Sequence, residues 1–245
     1  MAKREELMAR WEQECRQWLE YENRKNNNEY LDVNATFFKD GVIDPETWFD
    51  EKNTFRPLFI LKEVNDQKPT GEKTFDFVAM DESDGHDIWN GVSKWRRLAV
   101  LANGLKISLE DRLQLISYDE TYRAFYHNKT SNYKDALRHI AIMNVKKLGG
   151  GAKVKSEESK KTIIFTEHAK QEQLKKNLKE QIVEQIQPDI IIFFGIDTHC
   201  FFDIKNDKLF GIPVITSRPH PSSRKSNKEF YNETIKKVKE IITNK

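Results

Sequence analysis

Residues 56–66 read RPLFILKEVND. Leu58, Phe59, Ile60 and Leu61 form an unbroken apolar run between Pro57 and a polar cluster. A run this short is too small for a helix of ordinary length. Its lack of polar alternation suits a strand buried on both faces, as in a parallel sheet. Three further segments share the pattern: Ile140–Val145, residues 189–194 within DIIIFFG, and residues 212–216 within GIPVITS. Helical periodicity separates them. The spacing predicts helices over 88–103, ending at Gly104, over 108–116, and over 166–186. The last carries Leu174, Leu178, Ile182, Val183 and Ile186 and is stopped by Pro188. Further helices are expected at 197–203 and 226–243, with a short one beginning at Pro45.

Short strands alternating with helices predict an α/β fold. The expectation is three layers, with a central, mostly parallel four-stranded sheet flanked by helices. Residues 3–25 read as an amphipathic helix through Leu7, Trp11, Cys15, Trp18 and Leu19. Residues 1–50 are therefore expected to form an N-terminal helical extension packed on a core of 51–245.

The 245 residues allow one sizeable domain or two small ones. Hydrophobic residues make up 38% and charged residues 33%, as in a soluble globular chain. No apolar stretch approaches the roughly 20 residues that span a bilayer. The start, MAKREELMARWEQE, lacks the apolar core of a secretory signal. A cytoplasmic protein is expected. The two cysteines, Cys15 and Cys200, have no neighbours at metal-ligand spacing, which argues against a disulfide scaffold, a zinc site or an iron–sulfur cluster. The glycines of LGGGAKVKSEESKK lack the spacing and ending of a phosphate-binding fingerprint.

Net charge is only +2, but basic residues cluster locally at Lys146–Lys147, Lys153–Lys155, Lys160–Lys161 and Arg218–Arg224–Lys225. Such a face can meet phosphates while total charge stays near neutral. In parallel sheets, ligands bind outside the carboxyl ends of the strands. The first strand there offers Glu63, Asn65 and Asp66, the second Asn144, and the fourth His220, Ser222 and Ser223. A carboxylate, an amide, an imidazole and hydroxyls suit cleavage of an N-glycosidic bond. The departing base leaves positive charge on the sugar and carries negative charge away. A carboxylate can stabilise the sugar and orient water. An imidazole can donate a hydrogen bond where charge develops on the base. An amide matches the donor–acceptor edge of a base. Ser222, Ser223, Arg224 and Lys225, with Lys146, could hold the phosphates around a flipped nucleotide.

The segment HPSSRKSNKEFY (220–231) resembles the His-Pro-Ser signature loop of the uracil-DNA glycosylase superfamily. IAIMNV (140–145) is similar to that family's strand ending in a base-reading asparagine. LFILKEVND (58–66) takes the place of its first motif, and IVEQIQPDIIIFFG looks like its penultimate helix and strand. The resemblance spans roughly 55–243 and implies roles by position. Glu63 matches the catalytic carboxylate, with Asp66 as an alternative. Asn144 matches the base-recognising amide, His220 the leaving-group histidine, and Ser222 a phosphate contact. Arg224 falls in the segment that inserts into DNA, and Phe75 or Phe77 is the ring on which the base stacks. The first motif departs from the family pattern at Leu61, Lys62 and Val64. Asn65 stands where some members place an aromatic side chain that excludes a 5-methyl group, leaving room for a substituted pyrimidine.

The resemblance implies a monofunctional DNA glycosylase acting as a monomer on DNA, with no cofactor, metal or membrane. The alternatives are a catalytically inactive nucleic-acid-binding protein of the same fold, and a hydrolase of free nucleotides.

Overall fold

The computed structural model describes residues 40–61, 93–110, 116–126, 131–144, 175–195, 202–219, 221 and 223–243, with single positions 9, 13 and 17. These last three are helical and exposed. The apolar stripe expected over 3–25 lies outside the described residues, as do residues 166–174. The chain divides into two compact units. One holds, of the described residues, 40–41, 144 and 175–187 with the three single positions; the remainder belong to the other.

The fold is α/β. A six-stranded sheet runs in the order β1-β3-β2-β4-β6-β5. The strands are β1 (Gly41–Val42), β2 (Pro57–Leu61), β3 (Ala141–Asn144), β4 (Ile190–Phe194), β5 (Lys208–Leu209) and β6 (Ile212–Arg218). Strands β2, β4 and β6 are parallel, and β5 is antiparallel to β6. The sheet is therefore mixed and six-stranded, not the mostly parallel four-stranded sheet expected. The four long strands fall where the apolar runs predict them. The two additions are only two residues long and carry no apolar run that could announce them.

The register of β2 on β4 is set at its first residue. Arg56 N–H donates to Asp189 Oδ2 (2.9 Å), and Asp189 N–H donates to Arg56 O (2.9 Å). Pro57 then lies opposite Ile190 and Leu61 opposite Phe194. Pro57 opens the strand, a position that tolerates its missing N–H. All ten side chains of the two strands are buried. Phe59 meets Phe194 edge-on at 5.4 Å, and Phe194 stacks on Phe230 at 5.4 Å. Phe193 packs on Phe202 at 5.1 Å. Each fully buried Leu, Ile or Phe contributes about 1.5–3 kcal/mol, so this pair of strands anchors the core.

The helices are α1 (Pro45–Trp48), α2 (Ser93–Glu110), α3 (Tyr118–Tyr126), α4 (Ser131–Arg138), α5 (residues 175–186) and α6 (Asn227–Thr243). Asp44 caps α1, accepting the Glu46 and Thr47 N–H groups, and Pro45 takes its first turn as expected. A capping box starts α6. Ser226 Oγ accepts the Glu229 N–H, and Glu229 Oε2 accepts the Ser226 N–H. The second half of α5, Gln181–Ile186, is π-wound. Widening the turn shifts its faces. Gln181 and Gln185 are buried with Ile182 and Ile186, while Val183, expected on the apolar face, is exposed. Residues 202 and 203, the last two of the helix expected over 197–203, are not helical. Residues 108–110, expected to begin a second helix, belong to α2.

Gly104 does not end its helix; α2 runs through it for six more residues. The reason is steric. A Cβ at Gly104 would sit 2.6 Å from Cε2 of Tyr231, inside the ring's volume. Tyr231 is held in place by its hydroxyl, which donates to Ile116 O (2.9 Å) and bonds Thr121 Oγ1 (2.9 Å). Alanine would favour the helix by about 1 kcal/mol at an exposed site. Here Gly104→Ala is expected to destabilise the fold by about 1–3 kcal/mol, the usual cost of overpacking. A urea unfolding titration checks this; a midpoint at or above wild type would remove the close approach as the cause.

Candidate functional site

Two arrangements of polar groups stand at strand carboxyl ends, one in each unit. In the first unit the centre is Asp40, whose carboxylate is buried. Its Oδ2 accepts the Asn144 backbone N–H at 2.6 Å. Its Oδ1 accepts Gln181 Nε2 at 3.0 Å, and the Asp40 carbonyl accepts the same nitrogen at 3.2 Å. Gly41 follows at φ +133, a conformation that side chains disfavour. A buried carboxylate is tolerable because several N–H groups converge on it.

The consequence falls on Asn144. It is the last residue of β3 and is 2% exposed. Asp40 fixes its backbone, but its side-chain amide nitrogen is buried with no hydrogen-bond partner. An orphaned buried donor costs about 1–3 kcal/mol and is uncommon in native folds.

The second arrangement follows β6. Between Ile192↔Ile215 and Phe194↔Arg218 the register slips by one residue, a bulge in β6. The ladder resumes where Gly195 N–H donates to Arg218 O at 2.8 Å. A bulge re-aims the strand end, here at the head of the loop that leads into α6. Arg97 of α2 holds that loop. Its Nη1 donates to Pro221 O (2.8 Å) and Ser223 O (2.9 Å), and its Nη2 to Lys225 O (2.8 Å). Its Nε donates to Asn227 Oδ1 at 2.6 Å. The guanidinium carbon also lies 5.9 Å from the centre of the Phe230 ring. One planar fork thus ties three loop carbonyls and the helix start together, a geometry lysine cannot copy.

Within this loop Pro221 is buried and Arg224 exposed. Lys225 is exposed and its Nζ lies 2.7 and 2.8 Å from the two Glu233 oxygens. Glu233 also faces Arg218 at 3.8 Å, so it offsets two of the three cations in this cluster. The Ser223 hydroxyl is buried without a partner and does not present itself to solvent.

Of the residues singled out from sequence, Asn144, Ser223, Arg224 and Lys225 are described. The last three share the clamped loop, and Asn144 belongs to the other unit. Glu63, Asn65, Asp66, Phe75, Phe77, Lys146, His220 and Ser222 lie outside the described residues. Three organising residues escaped the sequence reading. Asp40 lies outside any apolar run, Gln181 in a helix read for its apolar stripe, and Arg97 in an Arg-Arg pair indistinguishable from solvated surface. No group of three or more His, Cys, Asp or Glu side chains suited to a metal occurs among the described residues. No helix among them is long and apolar enough to cross a membrane. No family model, curated protein or solved structure matches the chain.

Two substitutions examine these arrangements. Asn144→Leu keeps the backbone N–H and removes an unpaired donor, so unfolding free energy should hold or rise, by up to about 3 kcal/mol. A loss of several kcal/mol would make Asn144 a structural residue. Arg97→Ala should raise amide hydrogen exchange in residues 223–227 by about tenfold or more while leaving β2 and β4 protected. Uniform exchange across the chain would contradict a local clamp.

Proposed function

We propose that the protein is a DNA glycosylase that flips out a uracil or modified pyrimidine and hydrolyses its N-glycosidic bond, leaving an abasic site. The observation that carries this reading is the buried, unpartnered amide of Asn144 at the carboxyl end of β3. A base edge supplies the acceptor that the fold withholds. The strand order adds support. The chain leaves β2 for β3 on one side and reaches β4 on the other. Such a reversal marks the crevice where α/β sheets bind ligands, outside the strand carboxyl ends. Glu63 follows the end of β2 by two residues, and His220 follows the end of β6 by two.

In this reading Glu63 stabilises the cationic sugar and orients the attacking water, with Asp66 the alternative carboxylate. The C1′–N bond breaks, its electron pair leaves with the base, and water supplies the new C1′–O bond. The water's proton passes to the carboxylate. His220 donates a hydrogen bond to the base oxygen as negative charge develops there. Phe75 or Phe77 stacks on the base, and Asn65 leaves room beside its 5-position. Arg224, Ser222, Lys225 and Lys146 meet the flanking phosphates, and Arg97 ties the carbonyls of Pro221, Ser223 and Lys225 together. The protein acts on DNA as a monomer and needs no cofactor.

Base release from oligonucleotides tests this directly, using uracil and 5-substituted pyrimidines in single and double strands. Release of at least one base is expected, slowed by about 10²–10⁴ in Glu63→Gln. Binding should weaken steeply with salt as phosphate contacts are lost. Release undiminished in Glu63→Gln but lost in Asp66→Asn would transfer the role to Asp66. Saturable DNA binding without release of any base would make the chain a binding protein only.

A further inference from the structure

A concave site lies outside the amino ends of β2 and β3. It is a cavity of about 280 Å³, entirely within one unit. Ala102 and Lys106, one turn apart on α2, form one wall. Asp50 and residues 52–55, between α1 and β2, form the rim, and His139, between α4 and β3, closes it. The rim is fixed from within. Asp50 Oδ1 accepts the Lys52 N–H (2.9 Å), Asn53 N–H donates to Asp50 O (2.9 Å), and Asn53 Nδ2 donates to Trp48 O (3.0 Å).

The chemistry centres on Lys106, whose Nζ lies 2.9 Å from His139 Nε2. An ammonium only donates, so Nε2 accepts and the imidazole proton sits on Nδ1. That nitrogen is itself buried with no partner. The imidazole is held neutral. Burial lowers its pKa first, the Lys106 charge lowers it further, and Asp44 and Asp135 push it back up. Asp44 is already engaged by Arg138 at 3.1 Å. A neutral ring cannot balance the Lys106 charge, and among the described residues no carboxylate forms an ion pair with it. Lys52 adds a second cation to the lining and Asp50 one anion. The cavity is therefore concave, preorganised and short of negative charge. Its volume falls just below the lower end of small-molecule pockets, about 300 Å³.

We propose that this cavity binds a small oxyanion, a sulfate- or phosphate-like group or a compact carboxylate, with Lys106 as its charge partner and His139 as a second donor. An arriving anion draws Lys106 off the imidazole and favours a proton on Nε2, which then donates to the anion. Binding is thereby coupled to uptake of a proton from solvent, and affinity rises as pH falls from 8 towards 6. The site stands independently of the glycosylase reading, since it shares no residue with it.

Isothermal titration of the full-length protein tests this, with sulfate in one arm and propionate in the other. Neither probe changes charge between pH 6 and 8. Saturable binding of at least one probe is expected, tighter at pH 6 by several-fold. Which arm binds identifies the source of the oxyanion. Lys106→Gln should weaken it by about tenfold or more, the usual penalty for removing a partly buried charge partner. His139→Gln should bind with no pH dependence. In the wild-type chain, the His139 imidazole ¹⁵N resonances should move with the same saturation, which keeps the test valid if a variant fails to fold. No saturable binding in either arm, or binding unaffected by Lys106→Gln, would overturn the site.

Discussion

The parallel pairing of β2 on β4 is the constraint from which the other features follow. Five consecutive residues of each strand are buried, so neither strand has a face free to turn towards water. The Arg56–Asp189 exchange of hydrogen bonds fixes where the pairing begins. That ion pair is partly exposed and contributes little by charge alone. Its value is in register, because a slip of one residue would reverse the side-chain faces that bring Phe59, Phe194 and Phe230 together. Once the register is fixed, the carboxyl ends of β2 and β4 lie side by side, and the bulge in β6 directs the next segment into its loop.

Within each unit, a single charged group then organises polar structure around itself. Asp40 gathers N–H donors and leaves the Asn144 amide without a partner. Arg97 gathers the carbonyls of Pro221, Ser223 and Lys225. Both side chains direct their hydrogen bonds to backbone and amide groups. Charge-assisted bonds of this kind are about twice as strong as neutral ones. They are the means by which a loop or strand end can be prepared for a ligand before it arrives.

The long strands are readable in the sequence because a short continuous apolar run calls for burial on both faces. The sequence did not reveal β1 or β5, since two-residue strands carry no period. Gly104 looked like a helix stop, and only the position of Tyr231, far along the chain, explains why glycine is needed inside α2. Val183 was placed on the wrong face because an ideal helical period does not anticipate a π-wound turn. Among candidate site residues, Asn144 was visible as a polar residue ending an apolar strand. Arg97, Asp40 and Gln181 were not, because their roles depend on partners more than 100 residues away.

The proposed reading of a base by the unpaired Asn144 amide has a direct test. The most direct measurement follows its side-chain NH₂ resonances by NMR, assigned with Asn144→Leu. The protein is titrated with an oligonucleotide carrying an uncleavable analogue of the released nucleotide. Both amide protons should shift downfield as binding saturates, and should stay in place with an unmodified oligonucleotide of the same sequence. Saturated binding with the Asn144 resonances unmoved would contradict the claim.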